Sequence, residues 1–217
     1  MRSQHADEFN HDEDAAGYDA DVSIETHPIR AGYSDVLSWV AASAEIKSSH
    51  TVLELGSGTG NLSILLPKCA RLVCVDVSEN MESIALSKPV LAQHREFIKA
   101  DVLEIFEKLP KFVDRVVSTY TLHHLMEPEK AIFLRKLWEH LPQGGVACIG
   151  DLMVVTASEV EQKMKVYKAT YPEVTNALKE EFFWHLDRQS NVAREIGFEV
   201  ESRRFSDLSY GLKLVKG

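Results

Sequence analysis

Residues 52–62 read VLELGSGTGNL, and this stretch decides the fold. Val52 to Leu55 completes a short apolar strand begun at Thr51. Gly56, Gly58 and Gly60 then turn the chain into a helix expected from Leu62 to Lys68. A strand that feeds a glycine-rich turn and then a helix forms a small-ligand site. Glycine lets the backbone approach the ligand, and a helix N-terminus offers unpaired N–H groups. A dinucleotide fingerprint is GxGxxG. Counted from Gly56, its third glycine falls at position 61, which is Asn61. The turn is GxGxG, preceded by Glu54, and departs from the nicotinamide-dinucleotide pattern.

The chain downstream alternates strand and helix. Arg71 to Val75 is an apolar, β-branched run that ends on Asp76, and Ser78 caps a helix running through Met81, Ile84 and Ala85 to Leu86. Glu96 to Ala100 predicts a third strand ending on Asp101, and Phe112 to Ser118 a fourth. A helix over Glu129–His140 leads through LPQGG to a fifth strand, Val146–Gly150, ending on Asp151. Short connections between alternating elements imply a parallel sheet covered on both faces. Acids at strand ends then face the crevice where open α/β sheets bind ligands. Asp76 there can accept from both hydroxyls of a ribose, and Asp101 from an exocyclic amine such as adenine N6.

Ala157 to about residue 186 breaks the alternation. It is long, polar and helical, with Pro172 interrupting it, and reads as an inserted cap of two helices. A helix over His185–Ile196 follows, capped by Gly197, and Phe198–Arg204 and Leu208–Val215 close the chain as two strands. Upstream, a helix is expected from Pro28 through Ile29, Tyr33, Val36, Leu37 and Val40.

The 217 residues fit one domain with a small lid. The net charge of −9 argues against a binder that relies on neutralising phosphates, and against a polybasic membrane-surface protein. The charge is uneven. Residues 1–26 carry eight acids against Arg2 alone, or −7, and the rest carries 23 bases against 25 acids, or −2. Residues 1–27 read as an acidic arm, its first ten or so disordered, and residues 28–217 as the domain proper. Cys69, Cys74 and Cys148 form no CxxC pair and are odd in number. A reducing cytoplasm is expected. The N-terminus lacks the apolar segment of a signal peptide, and no apolar run approaches a membrane span.

Taken in order, VLELGSGTGNL, CVDVSENM, KADVLE, VVSTYTLHHL and LPQGGV resemble the class I S-adenosylmethionine-dependent methyltransferases, most nearly the small YrrT-type group. The likeness covers about residues 15–150 well and the rest loosely. It implies a Rossmann-like, doubly wound, seven-stranded and mostly parallel sheet with an antiparallel final hairpin. S-adenosylmethionine would be the cofactor. Gly56, Ser57 and Gly58 would pass under its methionine part, which Ser118 would border. Asp76 would hold the ribose, with Val77 and Met81 beside the adenine, and Asp101 with Val102 would read the adenine edge. Glu54 and Tyr33 are counted with these contacts, Tyr33 as part of an N-terminal element that folds over the cofactor. Arg30 is a candidate for its carboxylate.

The acceptor is less marked. Base-amino methylases carry a D/N-PP-Y/F signature after strand four; here that place reads Ser118-Thr119-Tyr120-Thr121. Nor does a nucleophilic cysteine stand there, as cytosine-C5 methylation requires. No basic domain is appended for RNA. A small-molecule acceptor is therefore expected, on a monomer or homodimer, with no membrane or nucleic-acid partner. Methylation of protein or RNA, or cofactor binding without catalysis, are the alternatives. Tyr120, His123 and Asp151 are the candidate catalytic groups. No metal is expected, since the adjacent His123 and His124 point in different directions. Phe182, Phe183 and Trp184 read either as pocket wall or as core, and Glu180 and Glu181 as a solvated face.

Overall fold

Apolar, β-branched runs buried on both faces make parallel strands, and here they build one sheet. The computed structural model describes residues 1–6, 15–88, 95–109 and 112–217. Two helices, α1 (Tyr18–Val22) and α2 (Tyr33–Ser43), precede β1 (Thr51–Leu55) and β2 (Arg71–Asp76). Next come α3 (Glu79–Ser87), β3 (Arg95–Lys99), α4 (Ile105–Lys108), β4 (Arg115–Thr119), α5 (Glu127–His140) and β5 (Val146–Val154). The chain continues through α6 (Ala157–Tyr167), α7 (Pro172–Glu180), the two-residue β6 (Trp184–His185) and α8 (Leu186–Ile196). It closes on β7 (Phe198–Arg204) and β8 (Ser209–Lys216).

The strand order is β3-β2-β1-β4-β5-β8-β7, with β6 pairing the end of β5. The first five strands are parallel, and β8 runs antiparallel to both β5 and β7. This is the expected seven-stranded doubly wound sheet, extended by β6. The order reverses between β1 and β4, which opens the ligand crevice at their carboxyl ends. Register brings those ends level: Leu55 pairs with Val75 on one side and Ser118 on the other.

Each face carries its own core. Leu53, Leu55, Val73 and Val75 pack with Phe133, Leu137 and Trp184 on one side. Val52, Cys74, Val117 and Cys148 pack with Val36, Leu37 and Val40 of α2 on the other. Two-residue alternation along each strand sends neighbours to opposite layers. All three cysteine thiols are free, with Cys74 and Cys148 buried. Among the described residues no helix is long and apolar enough to cross a membrane.

Four local expectations are corrected. The helix over Leu62–Lys68 is only a single 3₁₀ turn, Ser63–Leu65. Pro67 drives Leu66 into extended backbone (ψ 136°) and ends it. The first long helix begins at Tyr33 rather than Pro28, because Gly32 just before it is left-handed (φ 79°). The fifth strand does not stop at Gly150. It runs to Val154, buried throughout, because β8 pairs it as far as Leu152 and β6 pairs Met153 and Val154. Between Ala157 and residue 186 the chain forms the two helices α6 and α7, and of the two readings for Phe183 and Trp184 it is core that holds. Of the acidic arm, residues 7–14 lie outside the described residues. Residues 1–6 contact the body instead: Ser3 bonds Asp101, and Gln4 N–H bonds Glu129.

Gly150 shows how closely α2 lies on the sheet. A Cβ there would stand 2.3 Å from Val36 Cγ1 and 3.0 Å from Val40 Cγ2. Gly150→Ala is expected to lower unfolding free energy by about 1–3 kcal/mol, the usual cost of overpacking, read as a fall in the urea midpoint. Gly17→Ala, where the added carbon meets nothing within 4 Å, is the neutral control.

Candidate active site at the carboxyl ends of the strands

The glycine turn is shaped by its neighbours. Gly56 is left-handed (φ 65°), and a Cβ on it would fall 1.9 Å from Thr121 Oγ1, so only glycine fits. Ser57 N–H donates to Val75 O (3.0 Å) and folds the turn onto the end of β2. Gly58, also left-handed (φ 48°), has open space where a Cβ would point. Its N–H donates to Asp76 Oδ2 (2.7 Å), while Asp76 Oδ1 accepts from Ser78 N–H (3.0 Å). Ser78 Oγ in turn caps α3 by accepting from Met81 N–H (3.0 Å). Asp101 holds its own turn through Leu103 N–H (2.9 Å) and accepts from both Ser3 N–H (3.0 Å) and Ser3 Oγ (2.5 Å).

Around this frame lies an open cleft. Gly56, Gly58, Asp76, Val77, Met81, Asp101 and Val102 all line it, together with Ser3, Tyr18, Thr119, Tyr120, Thr121, His124 and Leu125. The site residues fit a nucleoside with a charged tail. The carboxylates of Asp76 and Asp101 line the cleft, Val77, Met81, Val102 and Leu125 supply apolar faces for a flat ring, and Gly58 leaves the backbone unobstructed.

Four expected contacts lie elsewhere. Glu54 is wholly buried beneath the turn, where it accepts from Ser63 Oγ (2.6 Å) and Cys74 Sγ (3.5 Å). Strand alternation sends it away from the cleft. Burial pushes its carboxyl up to about 7 against the pull of those donors. Ser118 Oγ donates to Leu55 O (2.9 Å) and staples β4 to β1. Ser57 is buried in the turn. Tyr33 sits one layer back, stacked on Tyr120 with ring centres 5.1 Å apart and accepting from Asn61 Nδ2 (3.2 Å).

A second pocket adjoins the first, sharing Tyr18, Tyr120 and His124. Its other walls are Gly17, Asp21, Ile29, Arg30, His123, Leu152 and Glu181. All three candidate catalytic groups meet at this junction. Asp151, fully buried, accepts from His123 Nδ1 (2.5 Å), Leu122 N–H (2.8 Å), His123 N–H (3.1 Å) and Leu152 N–H (2.8 Å). An ionised carboxylate has no proton to give, so Nδ1 carries the proton and Nε2 is left as the basic nitrogen. Burial alone would weaken His123 as a base. The charge and hydrogen bond of Asp151, with Glu181 beyond, outweigh it and raise the ring above the ordinary histidine value.

Tyr120 plays a different part. It is left-handed (φ 49°), an uncommon conformation for a bulky residue, and its hydroxyl donates to Ser209 Oγ (3.3 Å). Burial holds its phenol, like that of Tyr18, far above the ordinary range. Tyr120 is thus a neutral wall of the cleft, and of the three candidate groups His123 carries the basic nitrogen. Arg30 lies in the second pocket, bonded through Nη2 and Nε to Asp21 Oδ2 (2.7 and 3.0 Å). Sequence reasoning did not place Thr121 or Glu181 at these pockets. Glu181 reads as a solvated acid from its neighbours, yet its Oε2 is buried, 3.6 Å from His123 Nε2.

Comparison with known proteins agrees with this geometry. Residues 52–145 match the family described as "Methyltransferase domain". An uncharacterized methyltransferase of Bacillus mycoides is 29% identical over 216 residues, spanning 96% of this chain and 98% of the relative. One from Bacillus cereus matches to the same extent. Among solved structures, magnesium protoporphyrin IX methyltransferase from Synechocystis with bound S-adenosylhomocysteine superposes with a TM-score of 0.69 at 20% identity, covering 98% of both chains. A DhpI–S-adenosylhomocysteine complex superposes at 0.66 and 18% identity, covering 95% of this chain and 93% of that one.

If Asp76 takes the ribose hydroxyls, Asp76→Ala is expected to weaken S-adenosylmethionine binding by about 1.5–3 kcal/mol, the range for charge-assisted hydrogen bonds. Isothermal titration reads this as roughly a 10- to 150-fold rise in Kd. Unchanged affinity would remove the ribose assignment.

Proposed function

We infer that this S-adenosylmethionine-dependent methyltransferase passes its methyl group to a small-molecule acceptor, releasing S-adenosylhomocysteine, with the acceptor seated in the second pocket. The observation that carries the reading is the buried Asp151–His123 pair at the junction of the two pockets. The donor brings an electrophilic methyl carbon on a sulfonium, so the protein's task is to place a nucleophile in line and exclude water. Asp151 fixes the tautomer and orientation of His123. His123 Nε2 takes the acceptor's proton, and Tyr18 and Tyr120 wall the junction. Arg30, a cation of the second pocket, is already paired with Asp21, which favours a metabolite over a polyanion.

The order of the glycine turn, strand-end acids and LHHL segment, with the whole-length likeness to the Bacillus proteins, supports placing the chain with the YrrT-type group. In this reading residues 28–217 form the catalytic unit, residues 1–27 an acidic arm, and α6 with α7 the specificity cap. The chain works on a soluble metabolite in the cytoplasm, as a monomer or homodimer.

His123→Gln keeps a polar side chain but removes the base. It is expected to cut kcat by about 10²–10⁴-fold, the usual contribution of a general base, while donor affinity by titration stays nearly unchanged. Because His123 must be neutral to act and its pKa is raised, activity should fall as pH drops through a midpoint above the ordinary value of about 6.5. Retained turnover in the variant, or an acid limb centred below that value, would take His123 out of the reaction.

A further inference from the structure

We propose that the acceptor is an amine, bound as its ammonium between Glu181 and His123 and methylated on that nitrogen. The proposal rests on the methyl-transfer reading and adds the class of substrate. The formal charges around the second pocket point to it. Asp21 and Arg30 pair with each other. Asp151 is saturated by backbone N–H groups and the His123 ring. Glu181 is left as a carboxylate whose Oε2 is buried and accepts no hydrogen bond among the described residues. Such an oxygen calls for a donor. The nearest basic atom is His123 Nε2 at 3.6 Å, a separation that leaves an ammonium nitrogen room to reach both.

Glu181 does not stand there by chance of a loose loop. The following residue, Phe182, donates its N–H to His123 O (3.1 Å), and Lys130 Nζ donates to Phe182 O and to Phe183 O (3.3 Å). The carboxylate is thereby tied to the same segment that carries the base. The remaining walls, Tyr18, Tyr120, Ile29 and Leu152, suit an apolar or aromatic body behind the amine, and neutral tyrosine faces are favourable neighbours for a cation.

The step balances. The ammonium yields a proton to His123 Nε2 and regains its lone pair. The nitrogen forms a bond to the methyl carbon as the carbon–sulfur bond breaks. The bonding pair stays on sulfur, the sulfonium becomes a neutral thioether, and the product leaves as an N-methylammonium. His123 then returns its proton to solvent.

The test uses the full chain saturated with S-adenosylhomocysteine and three probes of one shape: 2-phenylethylamine, 2-phenylethanol and phenylacetate. Isothermal titration is expected to show the amine binding at least about tenfold more tightly than the alcohol, as a charge-assisted bond predicts. Phenylacetate should bind most weakly. In Glu181→Gln the amine's advantage should disappear while donor affinity holds. Equal or tighter binding of the alcohol or acid, no amine binding up to millimolar concentration, or an amine preference that survives Glu181→Gln would each overturn the proposal. Turnover separates the two levels of inference. S-adenosylhomocysteine release with a phenol or thiol but not with amines sinks the amine assignment alone. No release with any acceptor pool takes the methyl-transfer reading down with it.

Discussion

The Asp151 carboxylate is the interaction on which the site depends. A fully buried carboxylate costs several kcal/mol unless donors surround it, and Asp151 finds them in the segment just past β4 and in its own strand. Satisfying that one group fixes the backbone of Leu122 and His123, orients the His123 ring, and holds Tyr120 in its left-handed turn next door. Thr121, in the same segment, then presses against Gly56. The glycine turn and the His123 segment are therefore linked through one buried charge.

The acidic arm acquires a use from the same logic. Asp19 Oδ1 accepts from Thr59 Oγ1 (2.6 Å) and Asn61 Nδ2 (2.9 Å), and its Oδ2 pairs with Lys88 Nζ (2.8 Å). These bonds tie α1 to the glycine turn and bring Tyr18 over both pockets. Glu25 accepts from Ser34 Oγ (2.5 Å) and backbone N–H (3.3 Å) at the start of α2. Charge that looks, in the sequence, like a property of a solvated tail is in part a set of acceptors for the turn it covers.

The glycine turn, the strand-end acids and the alternation of elements were all legible because each is a local pattern read along a few residues. Asp76 and Asp101 were legible as cleft residues for the same reason, since a strand end is visible in the sequence. Glu54 and Ser118 were misassigned because proximity to the turn was taken for exposure to it, whereas strand alternation aims Glu54 away and a staple to Leu55 O occupies Ser118. Asp151 was found, but as a strand end. Only pairing with β8 and β6 carries the strand onward and so buries it. Glu181 was not legible at all. Its surroundings come from α5 and the turn before it, and no periodicity in its own segment reports them.

Lys130 makes that last point physically. It is fully buried on α5, its ammonium lies 5.8 Å from the centre of the Trp184 ring, and burial lowers its pKa to about 8 despite Glu127 nearby. A lysine is held in such surroundings only if its N–H groups are used, and here they bind the carbonyls of Phe182 and Phe183. The chain returning from the cap is thus pinned to the core helix at the point where Glu181 enters the pocket. Glu181 is thereby held by α5 and the turn after β4, elements that the sheet itself positions.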